Sequence, residues 1–101
     1  MFTKLEELKK RYDFLSAQLA DSEVIADMGT WQKYSKEQFD LTETVEKYDE
    51  YLSVEREMSD AFAMAETESD PEMKKMLLDE GYACKERLPS IVNELKILLL
   101  P

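Results

Sequence analysis

Apolar positions recur along three stretches of the chain, each at the 3/4 spacing of a helix. The longest stretch runs from Thr30 to Glu66 and contains no Gly or Pro. Trp31, Tyr34, Leu41, Val45, Tyr48 and Leu52 fall on one stripe of it, with Gln38 filling the vacant turn. At 1.5 Å per residue such a helix is about 55 Å long. Its stability must come from packing that stripe, so the flanking segments have to cover it. After Leu52 the same register would call on Glu55 and Ser59, which are poor core residues. A neighbouring stripe of Tyr51, Val54, Met58, Ala61, Phe62 and Ala65 takes over. The switch implies a second partner surface or a local change of supercoil. Met and aromatic residues at this spacing read as core rather than as a cofactor box.

The first stretch carries Leu5, Leu8, Tyr12, Leu15 and Leu19, a heptad seam. Thr3-Lys4-Leu5-Glu6 before it has the form of a capping box. Lys9, Lys10 and Arg11 beside the seam read as a solvated basic face. Asp21 or Ser22 caps a short helical turn, with Val24 and Ile25 as its apolar contact. Gly29 is the expected C-cap of that turn, and Thr30 the expected cap of the long helix. In Ser69-Asp70-Pro71, Asp70 is an N-cap and Pro71 sits where its missing N–H costs nothing. The third stretch follows with Leu77, Gly81, Cys84, Leu88, Ile91, Leu95 and Leu98. Gly81 weakens that seam by about 1 kcal/mol relative to Ala, and Pro89 predicts a kink. The expectation is all-α: an antiparallel three-helix, coiled-coil-like bundle built on a long helical hairpin. Its helices lie near 3–20, 30–66 and 71–98, with a helical turn near 22–28, in a single domain spanning 1–101.

Composition narrows the chemistry. The 101 residues hold 23 acids against 13 bases, a formal net charge of −10. Such a surface repels phosphate, which argues against unaided binding to nucleic acid or an anionic membrane. Residues 30–66 hold ten acids and four bases, whereas 71–101 hold five of each, so the field arises mainly from the long helix. There is no His, which removes the commonest general base and metal ligand. The longest apolar run, Ile97 to Leu100, is far too short to span a bilayer. A lone Cys84 and no visible secretion signal fit a cytoplasmic protein. No phosphate loop, nucleophile elbow or metal-ligand spacing occurs. The pairs Glu43/Glu46 and Asp49/Glu50 suggest cation binding or acid–base work only if a pocket shifts them; a solvated acidic face is the plainer reading. Cys84 falls on a seam and reads as a buried small hydrophobe. No catalytic residue, cofactor site or metal site is nominated.

Several short pieces in order carry a resemblance. They are Lys4-Leu5-Glu6-Glu7-Leu8 with Arg11-Tyr12, then Asp21-Ser22-Glu23-Val24-Ile25-Ala26-Asp27, then Tyr34-Ser35-Lys36-Glu37. Val45-Glu46-Lys47-Tyr48 with Glu50-Tyr51, Ser69-Asp70-Pro71-Glu72-Met73 and Leu98-Leu99-Leu100-Pro101 complete the set. This order resembles the N-terminal domain of bacterial peptide chain release factor 1, the class I factor that reads UAA and UAG. The chain departs from the family's usual pattern at Ser22, Gly81 and Pro89. The resemblance implies a helical domain joined to decoding and peptidyl-tRNA hydrolysis domains. Neither the family's Gly-Gly-Gln loop nor a Pro-x-Thr-type codon reader occurs here. On the resemblance the chain stops where the linker to those domains would begin, as a fragment or a truncated product would.

The function implied is ribosome docking in translation termination, without catalysis by these residues. An acidic face of residues 37–60, with Glu43, Glu46 and Glu50 as candidate docking residues, would meet a basic protein patch. The resemblance suggests the stalk base of the large ribosomal subunit, with the recycling translational GTPase as a second partner. The alternative is a free-standing acidic coiled-coil scaffold or chaperone-like interaction module.

Overall fold

A computed structural model describes all 101 residues. The fold is all-α, a helical bundle without strands. Its elements are α1 (Phe2–Leu19), α2 (Ser22–Ala26), α3 (Met28–Thr67) and α4 (Pro71–Leu98). The chain divides into two compact units, Met1–Glu46 and Lys47–Pro101. α3 contributes its first part to one and its second part to the other.

The first unit pairs α1 with the beginning of α3 in antiparallel fashion. Arg11 meets Glu37, Phe14 meets Tyr34, and the Leu19 carbonyl meets Trp31. Leu5 and Leu15 of the α1 seam are fully buried, and Leu8, Tyr12 and Leu19 half-buried. Thr3 does not cap: α1 already starts at Phe2, no side chain caps it, and the Leu5 N–H bonds the Met1 carbonyl at 3.1 Å. Asp21 caps α2, its carboxylate accepting the Glu23 N–H at 2.8 Å. Ile25, expected to make its apolar contact, is 56% exposed, and Val24 is half-buried.

Gly29 and Thr30 do not play the parts their types suggest. α3 begins at Met28, so Gly29 lies inside its first turn, with no positive φ. Asp27 caps instead. Its carboxylate accepts the Thr30 N–H at 3.3 Å and the Thr30 hydroxyl at 2.7 Å, while the Trp31 N–H bonds its carbonyl at 2.9 Å. These bonds favour the ionised form and hold the Asp27 carboxyl below its ordinary range, the Thr30 hydroxyl contributing most.

The second unit pairs the rest of α3 with α4, also antiparallel, since Lys47 meets Glu94 and Phe62 meets Tyr82. Tyr48, Val54, Ala61 and Ala65 of α3 are buried, with Met58 half-buried, while Glu55 and Ser59 are exposed. The stripe shift expected after Leu52 is therefore real, and it follows the passage of α3 from one unit into the next. On α4, Leu77, Gly81, Cys84, Ile91 and Leu95 are buried at the seam spacing, with Leu88 half-buried. Asp70 caps α4 through the Met73 N–H at 3.2 Å, with Pro71 in the first turn.

Gly81 is more than a weak point in a helix. A Cβ there would lie 2.5 Å from the Phe62 ring, so the missing side chain seats that ring against the α4 backbone. Phe62 then meets Tyr82 edge-on, with ring centroids 5.2 Å apart. α4 does not break at Pro89, which is exposed and lies within the continuous helix. No buried side-chain nitrogen or oxygen lacks a hydrogen-bond partner.

Candidate functional site

The three acids proposed as a docking face all lie on α3, but in different settings. Glu43 and Glu46 belong to the first unit, are exposed, and make no ion pair. At i and i+3 they share a helix face. Glu50 belongs to the second unit and is engaged there. Its carboxylate takes Lys47 Nζ at 2.8 Å and approaches an Arg87 guanidinium nitrogen at 4.0 Å. Lys47 also binds Glu94 of α4 at 2.7 Å. Two carboxylates on one ammonium raise the Lys47 pKa well above its usual value, the Glu50 bond contributing most. Glu50 thus works as part of a link between α3 and α4.

Glu43 and Glu46 line a shallow, open depression of about 400 Å³ with Phe39, Asp40 and Thr42. Phe39 sits one residue beyond the buried stripe and is 80% exposed. Asp40 pairs along the helix with Lys36 at 3.2 Å. Sequence reading passed over Phe39 because it looked for apolar residues on the stripe; the signal lay in the one aromatic residue among these acids that the stripe leaves out.

The basic cluster likewise resolves into unlike parts. Arg11 is a cross-helix clamp: its Nε donates to Glu37 at 2.7 Å and a terminal nitrogen does so at 3.1 Å. The guanidinium lies 5.0 Å from the Phe14 ring centroid and 5.9 Å from that of Tyr34. This bond raises the Arg11 pKa and lowers that of Glu37. The solvated-face reading missed this role, although Glu37 and Tyr34 on the facing stretch are the partners it required.

No three His, Cys, Asp or Glu side chains converge as metal ligands. No helix is long and apolar enough to cross a membrane. Cys84 is buried, and burial with the nearby Glu57 raises its thiol pKa, the reverse of what a nucleophile needs.

Comparison with known proteins places the chain. Residues 8–101 match the PCRF domain. The chain belongs to the PCRF domain family. All 101 residues of this PCRF domain align at 46% identity with a protein named Peptide chain release factor 1 from Geobacillus sp. (strain WCH70). They align at 40% with the Chlorobaculum tepidum protein of the same name, and at 42% with that of Staphylococcus epidermidis. The chain spans 28% of the length of each of these relatives. No solved structure matches it. The family resemblance carried by the ordered pieces from Lys4 to Pro101 is thus supported along the whole chain.

Proposed function

We propose that residues 1–101 act as one domain, the N-terminal ribosome-docking part of a peptide chain release factor that terminates translation at UAA and UAG. The observation that carries this reading is the alignment of the entire chain with proteins named Peptide chain release factor 1. The domain is non-catalytic by itself. It has no His and neither tripeptide of the resemblance, so codon reading and hydrolysis belong to other parts of the factor. It needs no cofactor and works in the cytoplasm.

The partner is protein rather than nucleic acid. RNA affinity comes largely from Lys and Arg displacing counterions, and acids dominate α3. A basic patch on a stalk-base protein of the large subunit fits the unpaired Glu43 and Glu46; the recycling translational GTPase is a second candidate. Charge matching of this kind governs encounter rate and specificity more than final affinity.

A chimera tests the proposal. The aligned segment of the Geobacillus factor is deleted, or replaced by this chain. Deletion should slow ribosome binding or recycling while leaving stop-codon-specific hydrolysis measurable at saturating factor, and the replacement should restore the rate. Loss of codon-specific release at saturation, or a chimera no better than the deletion, would refute it. The isolated chain should hydrolyse no peptidyl-tRNA.

A further inference from the structure

Phe39 has the highest exposure of any large hydrophobic residue in the chain, at 80%. It makes no ring contact within the chain, unlike Phe14, Tyr34 and Phe62. Its helix face continues through Glu43 and Glu46 at i+4 and i+7, with Asp40 and Thr42 at the edge of the same shallow depression. No base lines that depression; of the bases flanking it in sequence, Lys36 pairs with Asp40 and Lys47 with Glu50 and Glu94. The two depressions of the second unit differ, since Arg56 enters both.

An aromatic side chain held in water inside an acidic frame contributes nothing to this fold. It is suited to enter an apolar pocket whose rim is basic. We infer that Phe39 is the apolar anchor of the docking face, with Glu43 and Glu46 as its charged frame, and that it inserts between Lys and Arg side chains of a ribosomal protein. This rests on the ribosome-docking reading above and names the contact within it. RNA is disfavoured as the occupant because phosphates would meet the same carboxylates. A second copy of the chain is disfavoured because a two-fold contact would set this acidic frame against itself. In such an arrangement the anchor controls dissociation and the frame controls encounter.

The test uses the 101-residue chain and ribosomes halted at a stop codon. Phe39→Ala should weaken binding roughly tenfold, mainly through faster dissociation, without changing the melting temperature. The double variant Glu43→Gln/Glu46→Gln should instead slow association and flatten its salt dependence. With p-benzoylphenylalanine at position 39, light should cross-link the chain to a ribosomal protein. If the wild-type chain binds and Phe39→Ala binds equally well, the anchor is refuted and the docking reading survives. A cross-link to ribosomal RNA, or a melting temperature lowered by Phe39→Ala, would also refute the anchor. If the wild-type chain does not bind ribosomes at all, both readings fall.

Discussion

The two units hold their helix pairs together by different means. The second, with Val54, Ala61 and Ala65 against Leu77, Gly81, Cys84, Ile91 and Leu95, is a seam of small and branched residues. Small side chains let two helix backbones approach, and Gly81 takes this furthest by admitting the Phe62 ring. The first unit has fewer buried side chains and ties its pair at the margin. Arg11 forks onto Glu37 and lies over Phe14 and Tyr34, Trp31 Nε1 donates to the Leu19 carbonyl at 3.3 Å, and Gln38 donates to the Ser16 hydroxyl. Polar links of this kind depend on charge state, whereas an apolar seam does not; the second unit adds to its seam one ionic link, Lys47 with Glu50 and Glu94. The first unit also carries the exposed Phe39 and the unpaired Glu43 and Glu46. Packing is concentrated in one unit, and the proposed recognition surface lies on the other.

The largest expected effect is on the seam. Leu95 is fully buried, and Leu95→Ala should cost about 3 kcal/mol from lost burial and a residual cavity. Hydrogen exchange should then accelerate first in α4 and the second part of α3; acceleration confined to α1 would contradict the division of labour. A smaller effect comes from Gly81→Ala. The new Cβ would collide with the Phe62 ring, an overpacking cost of about 1–3 kcal/mol, against about 1 kcal/mol gained from helix propensity. A net loss of about 1 kcal/mol in denaturant unfolding is expected, and trimming Phe62 to Leu in the same chain should recover part of it. A stabilised Gly81→Ala would show that the ring moves aside freely. Pro89→Ala, on the solvent side of α4, should stabilise by about 1 kcal/mol, well short of the roughly 3 kcal/mol penalty of an interior Pro because the helix has accommodated the ring.

The smallest stability effect separates the units by pH. Asp27 and Glu37 have folded pKa values lowered from 3.8 and 4.5, chiefly by hydrogen bonds from Thr30 and Arg11. A depressed carboxyl contributes stability that is complete above its unfolded value and disappears as pH falls through the folded one. Both groups serve the first unit. As pH falls below these ordinary values, α1 and residues 28–46 should lose amide protection before α4 does. The reverse order would mean that the polar links carry little of the first unit's stability.

Helical spacing made much of this legible beforehand. The α4 seam from Leu77 to Leu95 and the stripe shift after Leu52 both follow from residue type and interval, because burial on a helix pair is periodic. Caps were less legible. Asp27, Gly29 and Thr30 are all plausible at a helix boundary, and which one caps depends on where the backbone turns. Gly81 and Arg11 were read from their own preferences, a poor helix former and a solvated cation. Their roles come from Phe62 and Glu37, 19 and 26 residues distant in sequence. In the sequence Glu50 shares the acidic face of residues 37–60 with Glu43 and Glu46, and only the positions of Lys47 and Arg87 distinguish it.

That distinction shapes the most direct test of the central claim, that recognition belongs to the acidic face of the first unit. Association of the chain with ribosomes is measured by stopped flow over a range of salt for two charge reversals of equal size. Glu43→Lys/Glu46→Lys alters the exposed face of the first unit, and Glu66→Lys/Glu86→Lys alters exposed acids of the second. The account requires slower association and a weaker salt dependence for the first pair, and rates close to wild type for the second. Equal slowing by both would make net charge responsible rather than a face, and an unchanged rate for the Glu43/Glu46 pair would contradict the claim outright.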